Sequence, residues 1–248
     1  MTYISNTPIF NIPIFHGETR VKHHAKPVYK TDCYTTNPLY NDYLDKTTIA
    51  NSIKANPKII EILKANKIPV NINSAELEKL KQGHLKDTRI LAAKIYSSLP
   101  QELKQEVNLP NLQQAAMLHD IGKVLIPDKI LNKEGTLNEY EKKIVEQHSE
   151  LGYEILKKQG INQEVLNLVK YHHQLPDKTG YPHSNDNFKY DISNQIISCA
   201  DKYSALREKR SYKEAMTKDE ALNIIKQDVN KGFLSNEVFD ALVKSVQI

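Results

Sequence analysis

Two cysteines in 248 residues, Cys33 and Cys199, lie far apart and make no disulfide framework, and neither stands in a C-x-x-C metal pattern. A reducing compartment, the cytoplasm, is the expectation. No apolar run approaches the ~20 residues that span a bilayer. The opening MTYISNTPIFNIPIF lacks the basic segment and continuous apolar core of a secretory signal, so no membrane partner is expected. A basic stripe with interleaved aromatics is missing too. The net charge of +4 is mild and both signs are interspersed, which suits an anionic small ligand and argues against a nucleic-acid polymer. Strand signals are few: GKVLIP is the best β-like run, and it reads as a connecting turn rather than part of a sheet.

What is present describes a helical globular protein. With 40 % hydrophobic and 26 % charged residues, the chain can hold one domain with a substantial core plus an extension. Residues 1 to about 43 are rich in Asn, Thr, Pro and Tyr, as in NTPIFNIPIF and TTNPLYNDY, with no sustained period of 3.6 or 2. The expected division is an irregular N-terminal arm over 1–55 and a helical domain over 56–248. In NPKIIEILKANK, Asn56 can cap a helix whose first residue is Pro57, and NSAELEKLKQGHLKDTRILAAKIYSSLP reads as a helical run that Pro100 ends. TLNE (136–139) and TKDE (217–220) have the form of capping boxes ahead of amphipathic runs. The expected fold is an all-α bundle with its active residues on facing helices.

Nine histidines are unevenly placed. His16, His23 and His24 in the arm, and His183 in a polar loop, read as ordinary solvated residues. The others interrupt or end core-type patterns: His119 and Asp120 after LQQAAML, His148 in EQHSELGYEIL, His172 and His173 after EVLNLVKY, and Asp201 inside NQIISCADKYSAL. A buried His or Asp is costly unless paired or bound to a metal, and several helices each bringing one point to a shared centre. Adjacent helical residues point about 100° apart. His172 and His173 are therefore expected to feed two different ions of a dinuclear centre, with Asp120 as the bridging carboxylate. Imidazole with carboxylate suits Fe, Mn, Zn, Co or Ni, and the residues do not choose among them.

Taken together, LHDIGKVLIPDKILNKEGTLNEYEKKIVEQH, HHQLPDKTGYP and ADKYSALREKRSYK resemble the HD-GYP family of the HD phosphohydrolase superfamily, over about residues 84–243. The resemblance implies an HD-domain helical bundle and a metal-dependent phosphodiesterase of bacterial signalling. Its substrate would be cyclic di-GMP, opened to linear pGpG, with GMP after a second cleavage. It implies two divalent transition metals, Fe or Mn first and Zn, Co or Ni otherwise, held by His84, His119, Asp120, His148, His172, His173 and Asp201. His84 fits as the upstream histidine because Leu91, Ala92, Ile95 and Leu99, counted from it, share an apolar face. Leu80 stands where some members place a Glu for a third metal, so two are expected. Asp120 and Lys123 are implied as catalytic, with Lys123 near the scissile phosphate. Gly180, Tyr181 and Pro182 would form a lip of the substrate site, and Arg210 and Lys213 would hold phosphate.

The chain departs from the family pattern in four places: Asp87 for the usual Arg, Gln174 in HHQ for HHE, Lys178 for a common glycine, and Ser204 for a second acid. The last three are expected to loosen support around the ligands, which can cost ~10- to 100-fold in metal affinity or activity. Two alternatives stay open. One is a phosphohydrolase acting on another nucleotide or cyclic dinucleotide, and the other a degenerate module that binds cyclic di-GMP without turnover. A homodimer or a signalling partner is equally open. The arm is too short and irregular for the receiver or sensor domain to which most such enzymes are joined, and no such domain is expected.

Overall fold

Polar caps set nearly every helix start in the computed structural model, which describes residues 42–183, 188–208 and 214–247, all within one compact unit. Asp45 caps α1 (Lys46–Ala55), and Asn56 caps α2 (Pro57–Ala65) with Pro57 in its first turn. Helix α1 therefore falls inside the stretch that the sequence assigns to the arm. Asn73 caps α3 (Ser74–Gln82), and α4 (His84–Ser98) follows after one residue. The helical run expected to reach Pro100 is thus two helices. Gly83, at φ −168° and ψ −75°, leaves the helical region between them and makes His84 the first residue of α4.

Asn108 caps α5 (Leu109–Leu118), whose end leads into a 3-10 turn (Ile121–Leu125). The β-like GKVLIP is this turn and its exit. The capping box expected at 136–139 forms two residues later, between Asn138 and Glu141, and opens α6 (Glu139–Lys157). There Asn138 accepts from the Glu141 N–H while the Glu141 carboxylate accepts from the Asn138 N–H. Asn162 caps α7 (Gln163–Tyr171), and Asp191 with Asn194 opens α8 (Ile192–Arg207). The box at Thr217 and Glu220 opens α9 (Lys218–Asn230) as expected, and Ser235 caps α10 (Asn236–Val246).

Helix α4 is the central strut, packed by α5, α8 and α10, while α6 lies against the 3-10 turn and α7. Small residues at the crossings let these helices close: Ala92 on α4, Ala115 and Ala116 on α5 and Ala200 on α8 have no exposed surface. Leu91, Ala92, Ile95 and Leu99 are all buried, as the register counted from His84 requires, and Leu80 is buried in the same core. Among the described residues there is no strand, and no helix is long and apolar enough to cross a membrane. The protein is an all-α bundle.

Candidate metal centre

Each candidate ligand sits where a helix starts, ends or presents a polar residue to its packed face. His84 starts α4, His119 is the residue that ends α5, and Asp120 follows it into the 3-10 turn. His148 lies in α6, His172 ends α7, and Asp201 lies in α8. His119, Asp120, His148 and His172 are at most 1 % exposed. All seven come together in two donor groups: His84, His119, Asp120 and Asp201 in one, His148, His172 and His173 in the other.

Asp120 belongs geometrically to both. Its Oδ2 is 3.4 Å from His119 Nε2 and 3.8 Å from His84 Nε2, while its Oδ1 is 3.4 Å from His148 Nε2. Asp201 Oδ1 completes the first group, 3.1 Å from His84 Nε2 and 3.4 Å from His119 Nε2. The expectation that His172 and His173 serve different ions is overturned, for both fall in one group with ring centroids 3.9 Å apart. Helix α7 stops at Tyr171, so the 100° step between helical neighbours no longer governs His173.

Backbone carbonyls fix the tautomers. Nδ1 of His119, His148 and His172 lies 2.9, 2.6 and 2.7 Å from the carbonyl three residues earlier, of Ala116, Val145 and Val169. A carbonyl only accepts, so each Nδ1 carries a proton, and in the neutral rings of His148 and His172 Nε2 presents a lone pair to the centre. These two lone pairs face each other at 3.2 Å. A proton or a metal cation between them would relieve that repulsion, and burial disfavours the proton. It pushes His148 down to about 3 against the pull of Asp120, and holds His172 well below the usual imidazole range. His173 is likewise pushed down to about 4 by burial.

The other group has the opposite electrostatics. Burial would lower His119, but the Asp120 and Asp201 carboxylates outweigh it and raise the ring to about 10. Asp120 is held well below the carboxylate range despite burial, by Lys123 and His119; Asp201 is held there by His119 and His84. Nε2 of His119 and Oδ1 of Asp120 are buried with no hydrogen bond among the described residues. Orphaned donors, facing lone pairs and a mixed imidazole and carboxylate set fit two divalent transition metals, which the two groups would hold, with Asp120 within reach of both groups. The donor types alone leave the choice of metal open.

The rim carries the remaining residues. Lys123 Nζ is 2.7 Å from Asp120 Oδ2 and keeps 23 % of its side-chain surface. The Tyr181 ring lies 4.6 Å from that of His173 and 6.0 Å from that of His148, and burial holds its phenol protonated well above the usual range. Gly180 is required there: a Cβ would stand 2.3 Å from the His173 carbonyl oxygen. Arg210 and Lys213 lie outside the described residues, as do His16, His23 and His24. His183 is exposed.

Of the departures noted in the sequence, Gln174 acquires a physical role. Gln174 donates to the Pro182 carbonyl at 3.0 Å and accepts from the Leu175 N–H at 3.0 Å, so its amide ties the Gly-Tyr-Pro loop to the histidine pair. A carboxylate could not make the first bond. Lys178 has φ +64°, the left-handed region in which glycine carries no Cβ penalty. One turn after Ser204, Glu208 Oε2 stands 3.9 Å from His84 Nδ1 and brings a carboxylate to the ring's outer side. Sequence reading missed Glu208, and it missed Gly122, whose lack of a side chain lets the 3-10 turn meet the α6 backbone at His148. The neighbouring Asp120 and Lys123 were the only available signal for Gly122.

A family model described as HD domain matches residues 69–233. The 3'3'-cGAMP-specific phosphodiesterase 1 of Vibrio cholerae is 33 % identical over 156 residues, 62 % of this chain and 36 % of that protein. A cyclic di-GMP phosphodiesterase of Thermotoga maritima is 37 % identical over 143 residues, 56 % of this chain and 38 % of that protein. This chain spans about a third of the length of the curated relatives it matches. Among solved structures, Bd1817, a HDG"Y"P protein from Bdellovibrio bacteriovorus, is similar in fold at a TM-score of 0.51 and 18 % identity, over 67 % of this chain and 53 % of that one.

Proposed function

The chain belongs to the HD domain family, and on that footing we propose that it is a metal-dependent phosphodiesterase of the HD-GYP type, opening cyclic di-GMP to linear pGpG and, by a second cleavage, to GMP. The observation that carries this reading is the meeting of two donor groups on one carboxylate, Asp120, beside a partly exposed Lys123. Two divalent ions, iron or manganese in first place, would supply a water nucleophile at neutral pH and charge neutralisation at phosphorus.

The chain's own residues do the rest. Lys123 offers an ammonium to a non-bridging phosphate oxygen, and its pairing with Asp120 keeps it charged: burial opposes this, and Asp120 and Asp201 raise its pKa nonetheless. The Tyr181 phenol, kept neutral, donates a hydrogen bond from the lip of the site. Gly180 and Pro182 hold that lip, and Arg210 and Lys213, outside the described residues, are the further phosphate-binding candidates. In the reaction the water oxygen bonds to phosphorus as the P–O3′ bond breaks, and the 3′ oxygen leaves with a proton.

A second reading, a mixed guanine and adenine cyclic dinucleotide as substrate, is favoured by the names of several Vibrio cholerae relatives, which are 3'3'-cGAMP-specific phosphodiesterases. Metal analysis with turnover of cyclic di-GMP and 3'3'-cGAMP in one competition assay separates the two. The expected result is hydrolysis with Fe(II) or Mn(II), lost together with bound metal in Asp120→Ala. No hydrolysis of either dinucleotide with Fe(II), Mn(II) or Zn(II) would sink the phosphodiesterase reading.

A further inference from the structure

A cavity of about 480 Å³ opens from the metal centre on the side of α8 and α9, sharing His172, His173 and Asp201 as one wall. Its lining also includes two aromatic residues and an ion pair. Tyr190 and Phe233 supply the rings, and the Tyr190 hydroxyl donates to the Phe233 carbonyl at 3.4 Å, which ties the two segments together. Lys202 Nζ and Asp228 Oδ2 form the pair at 2.5 Å. Asp228 is 22 % exposed, and Lys202 bonds it through Oδ2. This volume lies in the range of small-molecule sites, and a mostly apolar chamber with a partly exposed carboxylate in its lining suits a flat polar ring.

We infer that this cavity is a nucleobase subsite and that Asp228 makes it selective for guanine. The inference rests on the cyclic dinucleotide reading above. Guanine presents N1–H and N2–H as adjacent donors on its pairing edge, and a carboxylate, which only accepts, takes both. Adenine presents an acceptor, N1, in the same place, and it faces the carboxylate without a proton to share. Tyr190 and Phe233 offer faces on which either base can stack, so the rings hold a base and Asp228 chooses it. The shared histidine wall puts the subsite next to the centre at which the phosphodiester would be cut. One subsite of this kind accepts any cyclic dinucleotide with at least one guanine and disfavours one with none.

Asp228→Asn is the informative change, because the amide is nearly isosteric and offers one acceptor and one donor, the complement of adenine's edge. The test compares kcat/KM for cyclic di-GMP and cyclic di-AMP in the metal-loaded protein, with bis(4-nitrophenyl) phosphate as a base-free diester in the same preparations. The expected result is a guanine-to-adenine ratio lower by about 10- to 100-fold in Asp228→Asn, the size of losing charge-assisted hydrogen bonds. The change should appear in KM rather than kcat, with cyclic di-AMP turned over better than by the wild type. Asp228→Ser, which removes the carboxylate without filling the cavity, reads the guanine loss independently, and Phe233→Leu should weaken both dinucleotides and leave the ratio. A ratio within twofold of wild type in both Asp228 variants overturns the guanine subsite while leaving the phosphodiesterase reading intact. Absence of base-free diester hydrolysis in the wild type counts against the phosphodiesterase reading instead, and the ratio is then taken from the dissociation constants of the same two dinucleotides.

Discussion

Replacing Gly122 by alanine tests how the centre is assembled without touching a ligand. A Cβ at this position would lie 1.9 Å from the His148 carbonyl oxygen, 2.6 Å from the Gly152 nitrogen and 2.8 Å from the His148 carbonyl carbon. All three are backbone atoms of one helix, so no side chain can swing aside. Reaching even the 3.0 Å limit of real contacts requires α6 and the 3-10 turn to separate by about 1.1 Å. Overpacking of a closed core costs ~1–3 kcal/mol, and a purely backbone clash belongs at the upper end. For a domain of this size about 3 kcal/mol corresponds to a fall in Tm of roughly 6–12 °C. The same separation pulls His148 from Asp120, whose Oδ1 and Nε2 atoms are 3.4 Å apart, and so opens the contact between the two donor groups. A misplacement of about 1 Å can cost ~10²-fold in rate. The assay is thermal unfolding with and without metal, together with metal content and diester hydrolysis on the same samples. A Gly122→Ala protein within 2 °C of the wild-type Tm and with unchanged metal content would refute the reasoning.

Two further outcomes follow from the same geometry. His84 belongs to one donor group alone, so His84→Ala is expected to lower bound metal by about one ion per chain, whereas Asp120→Ala lowers both; equal losses in the two variants, measured by mass spectrometry of the purified proteins, would contradict the two-group arrangement. Gln174→Glu removes the donor to the Pro182 carbonyl and sets a carboxylate against it. It is expected to destabilise by about 1–3 kcal/mol and to raise KM more than it lowers kcat, as read by denaturant unfolding and steady-state kinetics; a gain in both stability and turnover would show that the amide is not the loop's tie.

The sequence by itself determined whatever depends on short-range chemistry. Asn56 before Pro57 and the box at Thr217 and Glu220 mark helix starts, because a cap acts within one turn. His119, Asp120, His148, His172, His173 and Asp201 were legible as candidate ligands because each breaks an apolar pattern that burial would otherwise complete. The register from His84 was legible for the same reason, since its apolar face repeats with the helical period.

Only the tertiary structure decided how these residues are shared out. His172 and His173 join one donor group because α7 ends at Tyr171, and Asp120 spans both groups because the turn that follows α5 is seated on α6 at Gly122. Gln174 and Glu208 gained their partners in the same way, from the Gly-Tyr-Pro loop and from the start of α4. Such relations are set by where helices stop and how closely their backbones approach. Those are properties of packing between segments far apart in the chain, and no local pattern encodes them.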